Sequence, residues 1–120
     1  MTGTVDESGR ALLVIQVRVN DPGPVSDLTV WIDTAFTGEL VMPTAAIKSL
    51  GLERSAGVLA VLADGNTVEL EAYRCQVNWL GQWRAVEVIE NNGQFPLLGI
   101  ELLRESCLVI DYRARTINME

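Results

Sequence analysis

From Val5 to Met119 the chain is a succession of short apolar runs, cut about every ten residues by turn-forming residues. The breaks are Glu7-Ser8-Gly9, Asp21-Pro22-Gly23-Pro24, Asp64-Gly65-Asn66, Leu80-Gly81-Gln82, Glu90-Asn91-Asn92-Gly93-Gln94 and a last turn about Arg113-Ala114. Within the runs the side chains alternate. Ile15, Val17 and Val19 fall on one face, and Gln16, Arg18 and Asn20 on the other. Val68, Leu70 and Ala72 likewise alternate with Thr67, Glu69 and Glu71. A period of two is that of a strand with one buried face. Two stretches differ. Residues 43–51 have Pro at the start, an alanine-rich middle and Gly at the end, which predicts a short helix with Ile47 and Leu50 inward. Residues 101–105 predict a second, of one to two turns. The expected architecture is all-β: a closed barrel or sandwich of short strands with one or two short helices.

Strands are expected over residues 11–19, 28–34, 40–42, 58–63, 67–73 with a continuation over 75–79, 83–89, 108–112 and 116–119. In the second of these, Val30, Trp31 and Ile32 are consecutive apolar residues, which predicts a strand covered on both faces. Trp31, Trp79 and Trp83 are expected in the core or an interface.

At 120 residues and 48% hydrophobic content, residues 1–120 form a single domain with one real core. No apolar run approaches the roughly 20 residues of a membrane span. The first residues lack a basic start followed by an apolar stretch, so the expectation is a cytoplasmic, soluble protein. A net charge of −7 without a basic cluster argues against nucleic acid and anionic membranes as partners. Cys75 and Cys107 sit among apolar neighbours and are expected as buried free thiols. Histidine is absent, which removes Ser-His-Asp and Cys-His centres and histidine metal ligands. Two cysteines without histidine make no zinc site, and no glycine-rich loop fits a nucleotide, so neither metal nor cofactor is expected. Any acid–base chemistry falls to carboxylates.

One carboxylate is placed for it. The run Thr29-Val30-Trp31-Ile32-Asp33-Thr34-Ala35-Phe36-Thr37-Gly38 carries Asp33 to the end of an apolar strand, followed by a hydroxyl, a small residue and a turn. Burial and neighbours at such a place set the state of an acid. An aspartate closing a strand is also a common turn residue that bonds its own backbone. Asp111 ends a second apolar run, and Asp64 precedes Gly65; both read as turn residues.

Three features then occur in order: Asp33-Thr34-Ala35 after an apolar strand, a hairpin tipped by Asp64-Gly65-Asn66, and Leu97-Leu98-Gly99-Ile100 before a short helix and closing strand. In this order, over about residues 11–119, the chain resembles the retropepsin-like aspartic proteases, in particular a bacterial subgroup whose active-site run reads Asp-Thr-Gly-Phe. The resemblance implies a retropepsin-like fold and an aspartic endopeptidase activity on a peptide or protein substrate. By position, Asp33 resembles the catalytic aspartate, and Thr34 the hydroxyl that braces the two active-site loops across a dimer. Asp64, Gly65 and Asn66 resemble the tip of the flap over the substrate. Leu98 and Gly99 resemble the apolar-Gly motif behind the aspartate. Such a domain carries one aspartate per chain, so the resemblance also implies a homodimer with the site on its two-fold axis.

The sequence departs from that pattern twice. Ala35 stands where the family has glycine; at negative φ it costs little, and at positive φ it strains the loop. The Arg that often follows the second glycine in retroviral members is absent, and so is its usual Asp partner, since Thr37 and Gly38 stand there. The dimer must then be held otherwise, with residues 1–5 and 108–119 as candidates. Two further readings stand beside the protease: a retropepsin-fold module that dimerises or binds peptides without cleaving them, and a small β-barrel binding domain of no kinship in which Asp33 is a turn residue.

Overall fold

The computed structural model describes residues 1–61 and 63–120. The elements follow one another as β1 (Thr2–Val5), β2 (Ala11–Arg18), β3 (Ser26–Ile32), β4 (Leu40–Pro43), α1 (Thr44–Leu50), β5 (Glu53–Val61), β6 (Thr67–Trp79), β7 (Gln82–Asn91), β8 (Leu97–Leu98), α2 (Ile100–Leu103), β9 (Leu108–Asp111) and β10 (Thr116–Met119). They form one ten-stranded sheet in the order β5-β6-β7-β4-β8-β3-β2-β1-β10-β9. An added pairing of β6 with β2 bends this sheet into a ring. Among the described residues, closure of this kind leaves β5 and β9 as the end strands of the sheet.

Period-two alternation does the packing. In β2 the residues Ala11, Leu13, Ile15 and Val17 are buried, and they meet Val30, Val77, Val88, Leu98 and Ile117 in one apolar core. Burial of this kind is the main favourable term of folding, about 25 cal/mol per Å² of apolar surface. The helix α1 closes as the sequence predicts. Gly51 takes a left-handed φ of 69°, and its amide reaches the carbonyls of Ile47 and Lys48. At the β6–β7 turn Leu80 and Gly81 have φ of 51° and 89°, so a two-residue loop joins Trp79 to Gln82. No helix among the described residues is long and apolar enough to cross a membrane.

Three sequence expectations change. The strand β3 is not covered on both faces: Val30 and Ile32 are buried, but Thr29 and Trp31 are exposed. Trp31 therefore leaves the core and stands edge-on to Phe95, with the Arg10 guanidinium 4.7 Å above the Phe95 ring. Cys107 is exposed, because it lies past α2 at the outer strand of the sheet; Cys75 is buried as expected, and both thiols are free. The first strand of the β5–β6 hairpin begins at Glu53, five residues early, because β6 runs unbroken for 13 residues and supplies a partner along its length. It ends at Val61; the expectation for Leu62 lies outside the described residues, and Ala63, expected to close the strand, stands in the turn before Gly65.

Candidate active site

Asp33 is the first residue past β3, and β3 is held beside a short strand from far along the chain. Strand β8 runs parallel to β3, pairing Trp31 with Leu97 and Ile32 with Leu98, and antiparallel to β4, pairing Leu40 with Leu98. The segment 97–98 is thus threaded between the two strands that flank the Asp33 loop. Leu98 is wholly buried there.

Backbone hydrogen bonds continue the hold. The Asp33 amide donates to the Leu98 carbonyl at 2.9 Å, and the Gly99 amide to Glu39 at 2.9 Å. The Ile100 amide donates to Phe36 at 2.9 Å and the Glu101 amide to Gly38 at 3.1 Å. The loop 33–39 is therefore fixed mainly by main chain from 98–101. Gly99 is needed for space: at φ −99° any residue could stand, but an added Cβ would overlap the Gly38 carbonyl and approach Phe36 Cδ2 to 2.5 Å.

Asp33 is half-buried, and its Oδ1 accepts the Ala35 amide at 3.0 Å. The Phe36 amide donates to the Asp33 carbonyl at 3.2 Å. Asp33 is thus a turn residue and a placed acid at once, because only one carboxylate oxygen is used by the turn. Among the described residues the non-glycine positions with positive φ are Leu80, Glu105 and Arg115, so Ala35 holds its place without left-handed strain. Thr34 and Ala35 are both exposed. The other two aspartates behave as turn residues: Asp111 Oδ1 accepts the amides of Arg113 and Ala114 at 3.0 Å, and Asp64 Oδ1 accepts the Asn66 amide at 2.9 Å.

The β5–β6 hairpin faces this loop across a groove of about 550 Å³. Ala35, Phe36, Thr37 and Gly38 form one wall; Leu59, Val61 and Leu70 of the hairpin form the other. Among the described residues it is the stem of the hairpin, not the tip at Asp64, Gly65 and Asn66, that lines the groove. Leu59 and Val61 are 74% and 75% exposed, a large apolar surface left open to water. Sequence reasoning did not single out these two residues; their signal was an apolar pair at alternate positions of a strand flanking a hairpin tip.

No known family profile matches the chain, and no curated protein matches it by sequence. Solved structures do match by shape. The EIAV protease complexed with the inhibitor HBY-793 covers 85% of this chain and 92% of its own, with a TM-score of 0.60 at 19% identity. The retroviral protease-like domain of Ddi1 from Leishmania major covers 91% and 88%, with a TM-score of 0.51 at 15% identity. The chain has the all-β retropepsin-like fold.

Proposed function

We propose that the protein is an aspartic endopeptidase, homodimeric, that hydrolyses peptide bonds with Asp33 from each of two chains. The single observation that carries this reading is the placement of Asp33: half-buried, one oxygen fixed by the Ala35 amide, two residues before the wall of an open groove of mixed polarity under a hairpin. The retropepsin-like fold supports it. Metal-free hydrolysis without a nucleophilic side chain needs a base to activate water and an acid to protonate the carbonyl oxygen. Two carboxylates about 3 Å apart share one proton and supply both roles. One takes a proton from water as its oxygen bonds to the scissile carbon; the other gives its proton to the carbonyl oxygen, and the leaving amine is protonated as the C–N bond breaks. A two-fold axis makes such a pair from one residue. Thr34, exposed beside it, is the residue we assign to bracing the loops across the axis, and Asp64, Gly65 and Asn66 to the tip that closes over an extended peptide. Membership in a bacterial subgroup and a cytoplasmic setting belong to the same proposal.

One observation favours a second reading, a module that binds peptides without cleaving them. The Ala35 side chain borders the groove where glycine would leave room for substrate. The experiment is cleavage of an unfolded protein from about pH 3 to 7, at several protein concentrations, by wild type, Asp33→Asn and Ala35→Gly. Cleavage by wild type that rises faster than linearly with concentration and vanishes in Asp33→Asn is the expected result. Cleavage by Ala35→Gly alone selects the second reading; equal cleavage by wild type and Asp33→Asn overturns the Asp33 mechanism.

A further inference from the structure

Among the described residues that line the groove of about 550 Å³, Glu87 alone carries a charge. It stands in β7 between the buried Val86 and Val88, so its side chain turns away from the core. Strand β4 runs parallel to β7 here and sets Leu40 opposite Val88, both buried. Glu39, one residue before Leu40, therefore turns to the same outer side as Glu87. The two residues meet: the Glu87 amide donates to Glu39 Oε1 at 3.0 Å. The Glu39 carbonyl accepts the Gly99 amide at 2.9 Å, which ties this carboxylate to the segment that fixes the Asp33 loop.

The charge on this side is not balanced. Like charges on neighbouring strands repel. No ion pair among the described residues involves Glu39 or Glu87. The cation closest in register is Arg74, directly opposite Glu87 in the β6–β7 ladder. Arg74 also stands opposite Glu53 on its other side, in the β5–β6 ladder. One guanidinium is thus shared among Glu39, Glu53 and Glu87, and the margin of an otherwise uncharged groove stays net negative.

We propose that Glu87, with Glu39 beside it, selects a lysine or arginine side chain of the bound peptide. A cation entering here meets the Glu87 carboxylate, with Glu39 next to it, and relieves their mutual repulsion. An acidic side chain meets both as like charges, so the selection works by rejection as much as by attraction. Asp33 does not itself line this part of the groove. Glu87 is therefore a specificity-determining residue, set apart from the bond-breaking step. The inference rests on the preceding reading for the groove as a peptide site, but its readout is binding, not cleavage.

The test uses Asp33→Asn, which binds without turnover, and a short fluorescent apolar peptide. One lysine, or one glutamate, is moved through the peptide position by position, and binding is read by anisotropy near neutral pH. At one position the lysine peptide is expected to bind about tenfold more tightly than the glutamate peptide, an advantage that shrinks as salt rises toward about 1 M. Adding Glu87→Gln is expected to remove most of this ratio and to leave the affinity for the all-apolar peptide unchanged. Adding Glu87→Lys is expected to invert it. Glu87 is exposed and its carboxylate holds no other residue, so both variants are expected to keep the thermal midpoint. No difference at any position, a ratio that survives Glu87→Gln, or an absence of binding by every peptide overturns the proposal. If the ratio is found but wild type cleaves neither the lysine peptide nor an unfolded protein, selection at Glu87 stands and the protease reading fails. If wild type cleaves the lysine and glutamate peptides alike, the protease reading stands and selection at Glu87 fails.

Discussion

The Asp33 amide is bonded to the Leu98 carbonyl across 2.9 Å, although 65 residues of chain separate them. This bond is the point where two distant segments define one loop. It leaves the Asp33 side chain free of structural duty except for one oxygen on the Ala35 amide. A group that carries little of the fold can be changed without unfolding it, and that separation makes the site testable.

Gly99→Ala is expected to harm the loop by crowding alone. Its backbone, φ −99° and ψ 178°, suits any residue, but the new methyl meets the Gly38 carbonyl and the Phe36 ring. The expected cost is about 1–3 kcal/mol in urea unfolding, with cleavage lost beyond the unfolded fraction because Gly38 and Phe36 border the groove. Gly51→Ala is the contrast: nothing lies within 4 Å of its Cβ, so its cost is left-handed strain, about 1 kcal/mol, with cleavage kept.

Asp33→Asn keeps an oxygen for the Ala35 amide, so its stability is expected to stay within about 0.5 kcal/mol of wild type. Turnover is expected to fall at least about 100-fold. Asp6→Ala is expected to do the reverse. Asp6 accepts the amides of Ser8 and Arg10 and the Arg10 Nε at 2.7 Å, so its loss lowers the urea midpoint and leaves turnover alone. The Arg10 amide, first among these contacts, holds the Asp6 carboxyl below its ordinary value. This contribution is present above the unfolded value of 3.8 and is lost as the pH falls below it.

Leu59→Ser and Val61→Ser probe the groove from the β5–β6 hairpin side. Both residues are about three-quarters exposed, so little fold stability depends on them. Each is expected to leave the thermal midpoint unchanged and to raise KM for an apolar peptide roughly tenfold, the scale of a lost apolar contact. An unchanged KM would place the substrate elsewhere.

Much of this was legible in the sequence. Alternation at Ile15-Val17 and Val68-Leu70-Ala72, the Pro43 to Gly51 helix and the turn at Asp64-Gly65 are local signals, and each sits where they put it. Asp33 was locatable because the strand before it and the turn after it are both local. The exposure of Trp31 was not, since it depends on which face of β3 the core takes, and that is fixed by β2 and β8 from elsewhere in the chain. The same holds for Cys107, whose neighbours in sequence are apolar but whose strand lies at the sheet's rim. The groove wall at Leu59 and Val61 was hidden for a related reason: a half-buried strand and a groove-lining strand carry the same pattern.

Cys75 offers a measurement on the core itself. It is 1% exposed, and burial first, then the nearby Glu39 charge, pushes its thiol from 9.0 up to about 12. The folded state therefore holds the Cys75 proton where the unfolded chain has released it. Stability is expected to be insensitive to this group below pH 9.0 and to fall as pH rises from 9.0 toward about 12. The slope is at most about 1.4 kcal/mol per pH unit. Other groups titrate in the same range, so the quantity to measure is the difference between wild type and Cys75→Ala. The variant is expected to lose about 1 kcal/mol at neutral pH by its small cavity and to regain ground on wild type steadily above pH 9.0. A thiol reagent near pH 8 (where Cys75 holds its proton) is expected to label one cysteine, the exposed Cys107, in the folded protein and both after unfolding. Two thiols labelled in the folded protein would mean that the sheet opens at β6, and that the core around Cys75 is not closed as described.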